Sequence, residues 1–169
     1  MRSHELFARM SAAQAAEILT WLHTTEKPTY KAAIQGLANQ RKLRPVFVER
    51  KPPNERNPWI QGALSRPLSD TLATHVLQSW LLGANKPMLC DFLGALEIQH
   101  DDDGTVETIP PAPPKPKIMA AVEALLGKYP AEAVAIYLHA FRDMDSTVQW
   151  PPLDEILADE PRLKLGAAA

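Results

Sequence analysis

The chain has 169 residues and a mass of 18.7 kDa, which is long enough for one compact domain and too short for several large ones. Hydrophobic residues make up 46% and charged residues 22%, which excludes a disordered composition, and no apolar run approaches the roughly 18 residues of a membrane span. No hydrophobic stretch of signal-peptide length follows Met1, so we expect a globular protein of the cytoplasm with no membrane partner.

The net charge of −2 hides an uneven distribution along the chain. Residues 1–66 contain eleven Lys or Arg and five Asp or Glu, a balance of +6, whereas residues 67–169 contain seven and fifteen, a balance of −8. Such an asymmetry indicates a nucleic-acid partner, an acidic protein partner or association between copies of the chain.

The basic residues are densest between residues 41 and 56, where only Glu49 and Glu55 are acidic. The candidate residues for binding nucleic acid or an acidic partner are Arg41, Lys42, Arg44, Arg50, Lys51 and Arg56. The competing interpretation is a solvated linker whose charges keep the protein soluble.

Apolar residues recur with helical spacing in five stretches of the chain. The stretches begin, in chain order, at Tyr30, Ala73, Leu89, Ile118 and Val134. Each forms an apolar stripe that must be buried against a neighbouring helix. The pattern therefore predicts an all-α fold of stacked helical hairpins.

Helix starts are marked at two places by capping residues. Ser11 with Gln14 is typical of a capping box, in which the two side chains satisfy amide groups at the helix start. Asn57 followed by Pro58 combines a cap with a proline at the first helical position, where no amide hydrogen is needed.

A tandem repeat is indicated by an offset of 59 residues. This offset places Trp21 on Trp80, the Lys-Pro pair at 27–28 on the pair at 86–87, and the stripe that begins at Tyr30 on the corresponding stripe of the later hairpin. We predict helix–turn–helix units that bury their apolar faces by stacking on one another. The alternative is that two unrelated helical hairpins align by chance.

The segments between helices are predicted to be extended. Residues 46–48 and 106–109 are β-prone, so we expect short extended connectors, and Asp103-Gly104 is typical of a small hairpin whose glycine has a positive φ.

Four regions follow from this organisation. Residues 1–109 hold two tandem helical units, 110–116 form a proline-rich spacer, 117–165 form a C-terminal helical hairpin docked on the rest, and 166–169 form a frayed tail.

No pattern in the sequence favours an enzyme. The histidines lack metal-ligand spacing, the chain has no phosphate-binding glycine loop, and the single cysteine, Cys90, excludes both an internal disulfide and a zinc cage built from cysteines. Asp91 beside Cys90 disfavours a reactive thiolate. The Asp101–Asp103 run lacks the spacing of a calcium loop, so a solvated turn is favoured and cation binding there stays open. We therefore predict no catalytic residue, metal or cofactor.

The predicted function is that of a non-catalytic scaffold or adaptor, which binds another protein or a second copy of itself. Trp150, in a connection before two prolines, is the best candidate for an exposed anchor in partner binding, unless it packs over the last hairpin. The alternative is a nucleic-acid-binding protein that uses segment 41–56, with Phe47 and Trp59 available for stacking.

Overall fold

A computed structural model describes residues 1–143 and 149–166, and these residues fold into helices without a strand. The helices are α1 (Ser3–Arg9), α2 (Ala12–Thr25), α3 (Lys27–Gln40), α4 (Pro45–Glu49), α5 (Pro53–Leu64), α6 (Asp70–Ala84), α7 (Lys86–Ala95), α8 (Lys115–Leu126), α9 (Ala131–Asp143) and α10 (Pro151–Asp159). Short 3₁₀ turns form at Pro67–Ser69 and Pro161–Leu163. The all-α prediction is confirmed.

The chain divides into two compact units, Met1–Trp80 and Leu81–Ala169. The boundary falls inside the sequence of α6, well before the proline-rich spacer at 110–116, which belongs to the second unit. The predicted C-terminal region at 117–165 and the predicted tail at 166–169 lie partly outside the described residues, which omit 144–148 and 167–169.

In the first unit, α2 and α3 pack against each other and both pack against α5, while α1 lies on α5 and α4 lies on α3. The interior is mainly aliphatic, with Phe7, Tyr30 and Trp80 as buried aromatic residues. Its fully buried side chains include Leu6, Phe7, Ile18, Leu22, Ile34, Leu37, Ile60 and Leu64. Burial of each such side chain is worth about 1.5–3 kcal/mol, so these contacts dominate the stability of the unit.

In the second unit, α8 contacts α7, α9 and α10, and α10 also contacts α9. An aromatic cluster lies in its core: the ring of Phe92 meets Tyr137 and Phe141 edge-on at 5.6 Å, and Phe141 meets Trp150 at 5.1 Å. Edge-to-face pairs at these distances add to the stabilisation that burial alone provides.

The capping signals in the sequence predict one helix start correctly and one wrongly. Ser11 caps α2 as predicted, since its hydroxyl accepts a hydrogen bond from the amide of Gln14 at 3.1 Å. The start predicted at Asn57-Pro58 is wrong, because α5 begins at Pro53 and Pro58 lies inside it. Pro53 occupies the first turn, where a proline costs no hydrogen bond, whereas Pro58 costs the helix one backbone bond.

The extended connectors are only partly found. Residues 46–48 form most of α4, so the β-prone interpretation is wrong there. Pro45 at the first helical position starts this turn, and burial of Val48 holds it. Residues 106–109 are non-helical, but they form no strand, so the small hairpin is also wrong. The positive φ predicted for Gly104 is confirmed at 83°.

No helix among the described residues is long and apolar enough to cross a membrane.

Candidate binding surface

The basic segment follows α3 and begins with a sharp stop of that helix. Lys42 adopts a left-handed φ of 54°, its amide donates to the carbonyl of Asn39 at 3.1 Å, and the amide of Leu43 donates to the carbonyl of Ala38 at 2.9 Å. These two bonds define a Schellman motif, which satisfies carbonyl groups at the helix end and turns the chain. The turn carries Leu43 and Arg44 out of α3 and into the start of α4.

Two of the six basic residues that we named as candidates for binding stack on aromatic rings. The guanidinium carbon of Arg41 lies 5.1 Å from the centre of the Trp59 ring, and that of Arg56 lies 5.9 Å from the centre of the Tyr30 ring. Arg56 also donates to the backbone carbonyl of Glu49 at 3.3 Å. These contacts tie α5 to the end of α3 and to α4, so Arg41 and Arg56 have a structural part that the sequence did not predict.

The other four basic residues lie at or near the surface. Lys42, Arg44 and Arg50 are exposed, and the half-exposed Lys51 pairs with Glu55 at 3.7 Å. An ion pair on the surface at this distance contributes little to stability. The three exposed cations are therefore available to a partner.

Large apolar side chains are exposed in the same segment. The exposed fraction is 41% for Leu43, 37% for Val46 and 59% for Phe47. The one further exposed large apolar residue within the described ranges is Leu68, whose carbonyl accepts a hydrogen bond from the Gln40 side chain at the end of α3. We call Lys42, Leu43, Arg44, Val46, Phe47 and Arg50 the cationic–apolar surface.

The exposure of Leu43 is not forced by the turn that carries it. The same motif ends α7, where Glu97 has a φ of 59° and the amide of Ile98 donates to the carbonyl of Leu93 at 2.9 Å. Ile98 holds the position of Leu43 in that motif and is only 9% exposed. An apolar residue after a Schellman turn usually packs back on its helix, so Leu43 departs from the common arrangement.

The prediction that Trp150 is exposed is wrong. Its side chain is 2% exposed, and its indole Nε1 donates to the carbonyl of Pro110 at 3.0 Å. Pro151 begins α10 directly after it, which places the indole against Phe141 in the core of the second unit. Trp150 is thus the lid of the last hairpin and offers no surface to a partner.

The acidic turn at Asp101–Asp103 follows α7. Asp101 and Asp102 are exposed. The side chain of Asp103 accepts hydrogen bonds from the hydroxyl of Thr105 and, at 2.9 Å, from its amide, and these bonds lower the pKa of the Asp103 carboxyl group. Burial, followed by the neighbouring Asp102, raises the pKa of the Cys90 thiol, so the thiol stays protonated. Among the described residues, no three His, Cys, Asp or Glu side chains group as metal ligands would.

Sequence reasoning found the cations of the surface and Phe47, but it missed Leu43 and Val46. The sequence contained a signal for both residues, because Leu43 lies just after the end of α3 and Val46 belongs to the triplet 46–48, which we interpreted as a strand. Comparison of the chain with protein-family models, curated proteins and solved structures finds no match.

Proposed function

We propose that the protein is a non-catalytic interaction module, a scaffold or adaptor, and that its cationic–apolar surface binds an acidic segment of a protein. The observation that carries this proposal is the position of three exposed large apolar side chains within the most basic segment of the chain. Scattered apolar residues are ordinary on a surface, but a group of apolar residues rimmed by polar and charged residues is typical of a binding site.

A protein partner fits the surface better than a nucleic acid. Leu43 and Val46 are aliphatic, so they offer a base no aromatic plane for stacking, and Trp59 is already covered by Arg41. An acidic segment with apolar side chains satisfies both halves of the surface, because its carboxylates meet the cations while its apolar groups cover Phe47.

Nucleic acid is the second candidate function. The exposed Phe47 ring and the cations Lys42, Arg44 and Arg50 are the groups that single strands use for stacking and phosphate contact. This candidate requires the cations to contribute most of the affinity, whereas the protein candidate requires the apolar side chains as well.

Fluorescence anisotropy at about 50 mM salt separates the two candidates, since phosphate contacts are strongest at low salt. The probes are a labelled peptide in which glutamate alternates with leucine and phenylalanine, a peptide of glutamate alone, and a single strand of thymidines. We expect Phe47→Ala to weaken binding of the mixed peptide by about tenfold, which corresponds to about 1.4 kcal/mol. We expect Arg44→Glu/Arg50→Glu to abolish it.

The control is Lys164→Glu, which reverses an exposed charge in the second unit and should leave binding unchanged. Tight binding of the thymidine strand with no binding of either peptide would contradict the protein candidate and support the nucleic-acid one. Equal binding of both peptides would mean that the apolar side chains have no part.

We also propose that the helix pairs α2–α3 and α6–α7 are two copies of a repeat of about 59 residues. The helix bounds support it, because α2 and α3 begin at 12 and 27 while α6 and α7 begin at 70 and 86. Ile18 and Leu77, which the offset pairs, are both buried. The copies also differ: Trp21 is half-buried where Trp80 is fully buried, and α7 ends about one turn earlier than the offset requires.

A further inference from the structure

We infer that the acidic segment bound by the cationic–apolar surface is residues 98–109 of a second copy of this chain. The inference rests on the proposed function and names the partner. It starts from the opposite charge of the two parts of the sequence, which gives copies of the chain complementary surfaces.

Segment 98–109 is the acidic counterpart with the fewest internal partners. No Lys or Arg occurs between Lys86 and Lys115. The carboxylates of Asp101, Asp102 and Glu107 are exposed, and within residues 1–143 and 149–166 none of them forms an ion pair.

Other carboxylates of the second unit are already neutralised by cations of the same unit. The pairs are Asp91 with Lys128, Glu97 with Lys117, Glu123 with Arg162, Asp154 with Arg142 and Glu155 with Lys115. Asp143 and Asp159 are also exposed without an ion pair among the described residues, but each lies apart from the other, whereas Asp101, Asp102 and Asp103 follow one another in the turn after α7. A cationic partner therefore meets the densest unpaired negative charge of the unit in this turn.

The turn is ordered before any partner arrives. The amide of Asp101 donates to the carbonyl of Thr105 at 2.9 Å, and the amide of Gly104 donates to that of Asp101 at 3.0 Å. Gly104 is buried so closely on Leu89 that a Cβ atom there would lie 2.5 Å from the Leu89 Cβ. A preformed turn holds its carboxylates in place, so binding costs little conformational entropy.

The segment also carries apolar groups for the other half of the surface. Val106 and Ile109 are half-buried and flank Glu107, so their uncovered parts are available to the exposed Leu43 and Phe47 of another copy. Contacts between exposed charges weaken once the Debye length falls below the distance between partners, so the association must depend on salt.

Sedimentation equilibrium of the full chain tests the inference. At millimolar salt we expect an average mass above the 18.7 kDa of one chain, and at roughly 0.5 M salt, where the Debye length is about 4 Å, we expect 18.7 kDa. Asp101→Lys/Asp102→Lys and Arg44→Glu/Arg50→Glu should each be monomeric at both salt concentrations. An equimolar mixture of these two variants should associate at low salt, because each offers the surface that the other lacks.

Two controls match the changes in net charge. Glu17→Lys/Asp159→Lys and Lys31→Glu/Lys164→Glu alter exposed residues elsewhere by the same amounts and should associate like the parent chain. Circular dichroism of every variant checks that the helices persist.

The possible failures are distinguishable. A parent chain that stays at 18.7 kDa at low salt, while it still binds the mixed acidic peptide, overturns the second copy as partner and leaves the proposed function standing. A monomer that binds no peptide overturns both. Association that the paired variants do not restore on mixing assigns self-association to a different surface and overturns the inference.

Discussion

Tyr137 places a hydroxyl group in the core of the second unit, where none of the described residues forms a hydrogen bond with it. Burial raises the pKa of Tyr137 far above its ordinary value, so the side chain stays neutral. A buried hydroxyl without a partner costs about 1–3 kcal/mol, because it gives up water and gains nothing in return. The ring itself packs edge-on against Phe92 and contributes favourably.

We predict that Tyr137→Phe raises the free energy of unfolding by up to about 1 kcal/mol, because it keeps the ring and removes the unsatisfied hydroxyl. Tyr129→Phe is the matched control, since its hydroxyl donates to Asp91 at 2.6 Å. That change should lower the free energy of unfolding by about 0.5–1 kcal/mol. Urea denaturation measures both, and a loss of stability in Tyr137→Phe would show that the hydroxyl has a partner after all.

The sequence predicted the exposure of individual side chains less well than it predicted the helices. Trp150 was singled out by its place in a connection, yet burial followed from the packing of α10 on α9, which no local pattern encodes. Leu43 is an ordinary residue in the sequence, and it is exposed although Ile98, at the same position of the turn after α7, is buried. Patterns report which residues can be buried, whereas tertiary contacts decide which are.

At the scale of elements, α1 is held by side chains of two later helices. The amide and the Nδ1 atom of His4 contact the Asp70 carboxylate at 3.1 and 2.7 Å, and the Gln61 side chain donates to the carbonyls of Phe7 and Met10 at 3.2 and 3.1 Å. Because α1 has only seven residues, its stability depends on such contacts and on burial of its apolar face.

The contact of α1 with Asp70 should depend on pH. Burial raises the pKa of Asp70, but the hydrogen bonds with His4 lower it by a larger amount. The pKa of Asp70 in the folded protein therefore lies below the ordinary value of 3.8. A carboxyl group whose pKa is lowered by folding stabilises the protein above its unfolded pKa, and this contribution disappears as the pH falls through the folded pKa.

We therefore predict that Asp70→Asn costs about 1 kcal/mol or less near pH 6, because the pair is partly exposed, and a smaller amount near pH 2, since protonation of the folded carboxyl group removes the contribution as the pH falls. Urea denaturation at both pH values measures the difference between variant and parent. Asp154→Asn removes another paired, half-exposed carboxylate whose contacts do not involve α1. Only Asp70→Asn should speed amide exchange in α1, and equal effects of both variants there would contradict the assignment.

The elements themselves were largely predictable from apolar spacing. The stripes that begin at Tyr30, Leu89, Ile118 and Val134 lie in α3, α7, α8 and α9, and their apolar residues are buried. The spacing failed for α4, since a helix of five residues is too short to repeat its period and alternating valines imitate a strand. The cationic–apolar surface surrounds α4, so its cations and Phe47 were predictable from the sequence, whereas Leu43 and Val46 were not.

For the whole molecule, the proposed repeat rests on a backbone feature that the two helix pairs share. Lys42 after α3 and Glu97 after α7 are the non-glycine residues with positive φ in the described chain, and both occupy the same position of a Schellman motif. The sequence offset did not reveal this correspondence, because α7 is about one turn shorter than α3 and the two helix ends are therefore out of register.

A left-handed residue with a Cβ atom costs roughly 1 kcal/mol more than glycine at the same position. We therefore predict that Lys42→Gly is more stable than Lys42→Ala, and Glu97→Gly more stable than Glu97→Ala, by about 1 kcal/mol each. Comparison with alanine removes the contribution of the side chain, which for Glu97 includes its ion pair with Lys117. Thermal and urea unfolding of the four variants measure the two differences.

Lys31→Gly and Lys31→Ala provide the control of opposite sign, because Lys31 lies inside α3, where glycine is less stable than alanine by about 1 kcal/mol. Equal gains in stability from glycine over alanine at positions 42 and 97 would support the proposal that α2–α3 and α6–α7 are two copies of one unit, because their second helices would end in the same way. If glycine is more stable than alanine at one position and less stable at the other, the ends of α3 and α7 differ in solution. The proposed repeat would then lose the backbone feature that the two helix pairs share.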